Sequence, residues 1–148
     1  MRAVVQRVSS AEVSAGGRTI GRIGHGFVVL LGIARGDTEG DAAFIADRII
    51  GLRVFDDAEG KMNLALGAVG GELLVVSQFT LMADTASGRR PSFAAAAPPE
   101  QARALYEHFL SLVRKANVKV EQGEFGAMME LTLNNHGPVT IILDSRNR

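Results

Sequence analysis

Along this chain the apolar positions alternate in some stretches and run together or recur at helical spacing in others. Arg2 to Val13, RAVVQRVSSAEV, is rich in β-branched residues and reads as a strand. RTIGRIG, from Arg18, reads as a second, short strand, and Gly16 and Gly17 at the centre of SAGGR predict a hairpin turn between the two. GFVVLLGIA, Gly26 to Ala34, is a continuous apolar run, the pattern of a strand buried on both faces. GDTEGD breaks the chain. Ala42, Ile45, Ile49 and Leu52 then fall three to four apart, a helical stripe. GELLVVSQFTL, from near Glu72, predicts another buried strand. Pro98-Pro99 opens a second helix, because proline is tolerated in a first turn, and its stripe is Ala102, Leu105, Phe109 and Leu112. NVKVEQG, MMELTL and PVTIILD predict three further short strands, and LRVF, Leu52 to Phe55, a short extra one.

The order β-β-β-α-β-α-β-β-β predicts an α/β fold. Two β-sheet layers pack together, with two helices covering one face. FAAAAPPE is the only compositionally biased stretch and reads as a loop entering the second helix. No repeat or linker interrupts the 148 residues, so residues 1–148 are expected to form one domain.

Composition narrows the chemistry. The chain has no cysteine, which removes disulfides, thiolate metal sites and a Cys nucleophile. It has 16 basic and 16 acidic residues, a balance that disfavours an extended grip on a nucleic-acid backbone but leaves a local contact with one strand end open. One Tyr, seven Phe and no Trp leave little for a base-stacking platform. The N-terminus does not read as a signal peptide, and no run approaches the roughly 20 apolar residues that span a bilayer, so the expectation is a soluble, cytoplasmic protein. His25, His108 and His136 are scattered without metal-ligand spacing, and neither a metal nor a cofactor is expected. GxSxG, a P-loop and GxGxxG before a helix are all absent.

Two stretches stand out. VVSQFTLMAD, Val75 to Asp84, ends a buried strand with Ser77, Gln78 and Thr80 interleaved with Phe79 and Leu81. Strand ends in α/β sheets are common ligand sites, while hydroxyls in such places also simply bond local backbone. LNNHGPVTIIL, Leu133 to Leu143, places Gly137-Pro138 where a strand begins, which reads locally as a turn. Arg89 and Arg90, in a Gly/Pro-bounded loop, and Lys61, in the turn DDAEGKMNL, are candidates for an anion or for ordinary solvation.

VVSQFTLMADTASGRRPSF and NNHGPVT, with their cores SQFTL and GPVT, resemble the two signatures of the D-aminoacyl-tRNA deacylases. VVQRVSSAEV, DDAEGKMNL and PPEQARALYEHF resemble the same family, so the likeness covers essentially the whole chain. The resemblance implies a homodimer that hydrolyses the ester joining a D-amino acid to the 3′-terminal adenosine of tRNA. It assigns the catalytic segment to Ser77, Gln78, Phe79 and Thr80, and chiral rejection to Gly137, Pro138, Val139 and Thr140. Gly137-Pro138 would be cis and would enter the partner subunit's site. Arg7, in the matching QRV, would hold that loop through its carbonyls. Lys61, Arg89 and Arg90 are the candidate tRNA contacts.

Two mechanisms then compete. Thr80 can attack the carbonyl as a nucleophile, although the motif supplies no base. Alternatively the tRNA 2′-OH activates water while backbone N–H groups around Phe79 stabilise the oxyanion, the case the resemblance favours. Rejection of L substrates by a rigid wall implies that glycine, having no side chain to clash, is also removed, as from glycine mischarged on tRNA(Ala). A non-catalytic module for nucleic-acid ends and a generic Ser/Thr esterase are the alternative readings.

Overall fold

The long first strand organises the molecule, and the computed structural model describes all of residues 1–148. β1 (Arg2–Ala15) turns at Gly16 and Gly17 into β2 (Arg18–Ile23), both glycines having positive φ as a tight hairpin turn requires. β3 (Gly26–Gly32) is buried along almost its whole length, as expected of its uninterrupted apolar run. It is followed by α1 (Glu39–Gly51), a two-stranded ribbon of β4 (Phe55–Asp56) and β5 (Met62–Leu64), and then β6 (Glu72–Ser77). A 3-10 turn (Phe79–Met82), α2 (Pro99–Arg114), β7 (Val120–Gln122) and β8 (Met129–Asp144) complete the chain.

β1 carries β8 along one edge, and on the other edge β3 (at residues 2–8) and β2 (at 11–15) divide its length. β6 joins β3 in parallel and β7 joins β6. The two expected layers are therefore halves of one sheet bent over itself: β1 pairs with β3 up to Val8 and with β2 from Ala11, and it bulges against β8 between Val8 and Ser10.

Each half has its own core. Under the helices, Phe27, Val29, Leu31, Leu73 and Val75 meet Ile45 and Ile49 of α1 and Tyr106, Phe109 and Val113 of α2 in a 23-residue cluster. Burying such side chains stabilises by about 1.5–3 kcal/mol each. The alternate residues of the same strands, Val28, Leu74 and Val76, meet Val8, Val13 and Ile23 in a seven-residue core inside the bend. This double use explains why β3 and β6 read as unbroken apolar runs. The Tyr106 hydroxyl donates to the Val75 carbonyl at 3.0 Å, and burial pushes its pKa up to about 12. α2 buries Tyr106, Leu110 and Val113 beyond the expected stripe, whereas Leu112 is only half-buried. No helix is long and apolar enough to cross a membrane.

Two expectations are corrected. MMELTL and PVTIILD are not two strands but the two halves of β8, since both pair with β1. LRVF contributes only Phe55 to a strand, the start of β4.

Candidate active site

The parallel pair β3 and β6 ends in register, Leu31 beside Ser77. The chain then leaves the ladder: Gln78 N–H donates to the Leu31 carbonyl at 2.8 Å, and Phe79–Met82 coil into a 3-10 turn. Gly32 makes this possible. A Cβ there would stand 2.9 Å from Leu81 Cβ and 3.0 Å from the Gln78 carbonyl oxygen, so any side chain would push the turn off the strand. Arg2 Nη1 holds the turn from below by donating to the Leu81 carbonyl at 3.0 Å.

A groove of about 770 Å³ opens at these strand ends. Leu31, Val76, Ser77, Phe79, Phe93, Phe125 and Met128 are among the residues that line it. Its volume lies in the range of small-molecule sites and its lining is mainly apolar. Phe79 is 57% exposed and meets Phe93 edge-on at 5.1 Å between ring centres. Thr80 is exposed and does not line the groove; its hydroxyl accepts from the Gln78 side-chain amide. No carboxylate, imidazole or amine lines the groove, and Arg35 is its only charged side chain. A nucleophile here would have no side-chain base beside it.

The second motif lies elsewhere. In the β8 ladder Thr140 pairs with Gln6 and Asn135 with Val8, so residues 136–139 stand opposite the single residue Arg7 and bulge out of the sheet. The Gly137-Pro138 peptide at the tip is cis. Gly137 has φ +124°, and a Cβ would lie 2.8 Å from Arg7 Nη2 and 2.9 Å from Val139 Cγ2. Arg7 is buried. Its Nε donates to the His136 carbonyl at 3.0 Å and its Nη1 to the Val54 carbonyl at 2.7 Å, with Asp56 at 3.4 Å. The Asn135 amide clamps the neck of the bulge by donating to the Arg7 and Val139 carbonyls at 3.0 and 3.1 Å. Thr140 donates to Gln6 at 3.2 Å. His25 packs edge-on to Phe55 and faces His136, 6.2 Å away; burial, then the charges of His136 and Arg7, hold its pKa below the ordinary value.

Ser77 aligns across the sheet with Leu31, Ala3 and Leu143, whereas the bulge sits at Arg7. Four residues along the strands and three strands across separate the motifs, roughly 20 Å within one chain. Ser77, Gln78 and Phe79 are thus brought to the groove, and Gly137, Pro138, Val139, Thr140 and Arg7 to the bulge. Lys61 is on the β4–β5 turn, paired with Glu59 at 3.4 Å, and Arg89 and Arg90 are exposed in the loop closed by the Asp84–Ser92 bridge. Sequence reasoning missed Phe125 and Met128 in the groove lining, which have no periodic signal. It also missed Asn135, Asp56 and the Val54 carbonyl, whose role exists only once β1, β4 and β8 meet.

The family model for D-Tyr-tRNA(Tyr) deacylase matches residues 4–144. This chain belongs to that family. Membership makes it an enzyme, a hydrolase of the ester between an amino acid and tRNA. It is 60% identical over 148 residues, covering 100% of the chain and 97% of the relative, to a D-aminoacyl-tRNA deacylase of Dehalococcoides mccartyi. It is 55% identical, with the same coverage, to one of Thermus aquaticus. Among solved structures it superposes on a c-Myc DNA unwinding element binding protein with TM-score 0.92 and 42% identity, covering 97% of this chain and 98% of that one. A probable eukaryotic D-amino acid tRNA deacylase, at 19% identity and TM-score 0.81 over 96% and 97% of the two chains, shares the fold.

Proposed function

We propose that this deacylase removes D-amino acids, and glycine mischarged on tRNA(Ala), from the 3′ end of tRNA, acting in the cytoplasm as a homodimer whose 148-residue subunits are single domains. The observation that carries this reading is the separation of the two motifs. Each is built in full, yet roughly 20 Å lies between them within one chain. A two-fold axis resolves this, because an isologous contact brings the bulge of each subunit to the groove of the other. A strip of sheet left open on the face opposite the helices supports such a contact: Leu30, Val4 and Ile142 lie side by side across β3, β1 and β8, and Ile142 is 68% exposed.

In this reading the terminal adenosine and the aminoacyl group occupy the groove against Phe79. Gly137-Pro138 of the second subunit walls off the space an L side chain needs and leaves glycine and D residues room. The groove lining offers no base, which supports hydrolysis by water activated through the tRNA 2′-OH, with Ser77, Gln78, Phe79 and the Thr80 backbone orienting the ester. Lys61, Arg89 and Arg90 remain candidate tRNA contacts.

Mixed dimers test the reading. Phe79→Asp should disable the groove and Gly137→Ala the bulge. Mixing the two inactive proteins with subunit exchange should restore about a quarter of wild-type D-tyrosyl-tRNA hydrolysis, since half the dimers are mixed and each has one intact site. No recovery after verified exchange would mean that each site is built within one chain.

A further inference from the structure

Five arginines form a connected track beside the groove, on a protein whose formal net charge is zero. The track starts at Arg35 on the groove wall, fixed by its Nε donating to the Ala94 carbonyl at 2.8 Å. Arg146 Nη2 donates to the Arg35 carbonyl at 3.0 Å and lies 3.6 Å from Asp37. Arg148 donates through Nε to the Ser145 carbonyl at 2.9 Å and through Nη2 to Asp41 at 3.2 Å. Its guanidinium stacks 4.8 Å from the centre of the Phe44 ring, and Arg48 approaches the same ring at 5.0 Å. Arg2 lines the same hollow of about 430 Å³ as Phe44, Arg48 and Arg148, while its Nη1 holds the 3-10 turn of the groove.

The carboxylates touching this track are Asp37, Asp41 and Asp144, three against five guanidiniums. Asp37 is buried, so its charge is withdrawn from the surface. Arg146 and Arg148 remain 59% and 54% exposed. Each of Arg35, Arg146 and Arg148 is anchored through one or two of its five donors and keeps the rest for a ligand. Arg48 and Arg148 both lie over the Phe44 ring, and guanidiniums with donors to spare suit phosphate oxygens.

We propose that this track binds the phosphodiester backbone of the RNA acceptor strand as it leads into the groove. The proposal deepens the deacylase reading and rests on it. Arginines that begin at an apolar groove match a ligand with a phosphate-free aminoacyl end and an anionic stem. They also reconcile RNA recognition with a neutral chain, because only a short stem is gripped.

The test compares D-tyrosyl-tRNA with D-tyrosyl-adenosine, the 3′ ester that lacks the stem. For the wild-type protein, log kcat/KM should fall with log salt concentration with a slope of about −2 or steeper on tRNA, and stay nearly flat on the adenosine ester. Arg48→Gln/Arg148→Gln should lower kcat/KM on tRNA about tenfold and reduce that slope by about one to two, with at most about a twofold change on the adenosine ester. Arg48→Lys/Arg148→Lys should recover most of the loss. A flat salt response on tRNA, or full tRNA activity in the glutamine pair, overturns the track while leaving the deacylase reading intact. Hydrolysis of neither ester by the wild-type protein overturns both.

Discussion

At the groove, Phe79 is 57% exposed, and the Thr80 hydroxyl is met by the Gln78 amide alone. At the bulge, Arg7 is 6% exposed and grips the carbonyls of His136 and Val54, while Asn135 spans the neck. One region has surface to spare. The other is a protrusion held at its base by Arg7 and at its neck by Asn135. A wall must hold its position against a substrate pressing on it. A binding surface must stay uncovered until the substrate arrives. In the proposed reading, the rigid motif is the one that excludes and the open one the one that receives.

The sharpest way to break that contrast is at Gly137. Gly137→Ala puts a Cβ 2.8 Å from Arg7 Nη2 and 2.9 Å from Val139 Cγ2, at a φ of +124° that costs about 1–3 kcal/mol for a residue with a side chain. D-tyrosyl-tRNA hydrolysis should fall at least about 100-fold, as misplacement by about 1 Å costs. Full activity would show that the bulge is free to relax.

Arg7→Ala leaves the His136 and Val54 carbonyls without their donor, an expected loss of about 2–4 kcal/mol in chemical denaturation. Deacylation of L-tyrosyl-tRNA relative to D should rise as the wall loosens. Unchanged stability would mean that Asn135 alone holds the neck.

Phe79→Ala removes a ring that contributes surface rather than core. A drop of about tenfold in kcat/KM is expected, with Tm within about 1 °C of wild type. A large fall in Tm would make Phe79 structural and erase the difference between the regions.

Thr80→Ala should change kcat by no more than about threefold, because no base activates its hydroxyl. A loss of several orders of magnitude would restore Thr80 as the nucleophile.

The smallest effect is one of pH. His25, beside the bulge, has its pKa lowered by burial and by the charges of His136 and Arg7. The folded state then binds fewer protons than the unfolded state, so stability falls as pH drops through the ordinary histidine range near 6.5. Amide exchange at His136, Gly137 and Val139 should quicken over this range before exchange in the Phe79–Met82 turn does, and His25→Gln should flatten the response. A further loss is expected below about pH 4, where Asp41 and Asp144 titrate. Burial disfavours the charged form of both, but hydrogen bonds outweigh it and hold both pKa values low: Ser145, Thr38 and Arg148 at Asp41, and Arg146 and Arg2 at Asp144.

Much of the fold was legible because burial leaves a mark on residue type. β3 and β6 read as strands since both of their faces are covered, and α1 read as a helix because Ala42, Ile45 and Ile49 all face one core. The groove was half legible. Ser77, Gln78 and Phe79 announced themselves as polar and aromatic residues at the end of an apolar strand, whereas Phe125 and Met128 reach it only through the loop that precedes β8. At the second motif, Gly137-Pro138 was legible as a pair but misread as a turn between two strands. A bulge inside one strand differs from a turn only in what pairs on either side of it.

The sequence alone determined the element types, the absence of thiol chemistry and the two motifs. These depend on residue identity and on contacts close along the chain. Only the tertiary structure decided that β8 is one strand, that Arg7 is buried and reaches the Val54 carbonyl as well as the bulge, and that the motifs lie apart within one chain. Each depends on which strands pair in which register, and that is set by burying two cores at once rather than by any local preference.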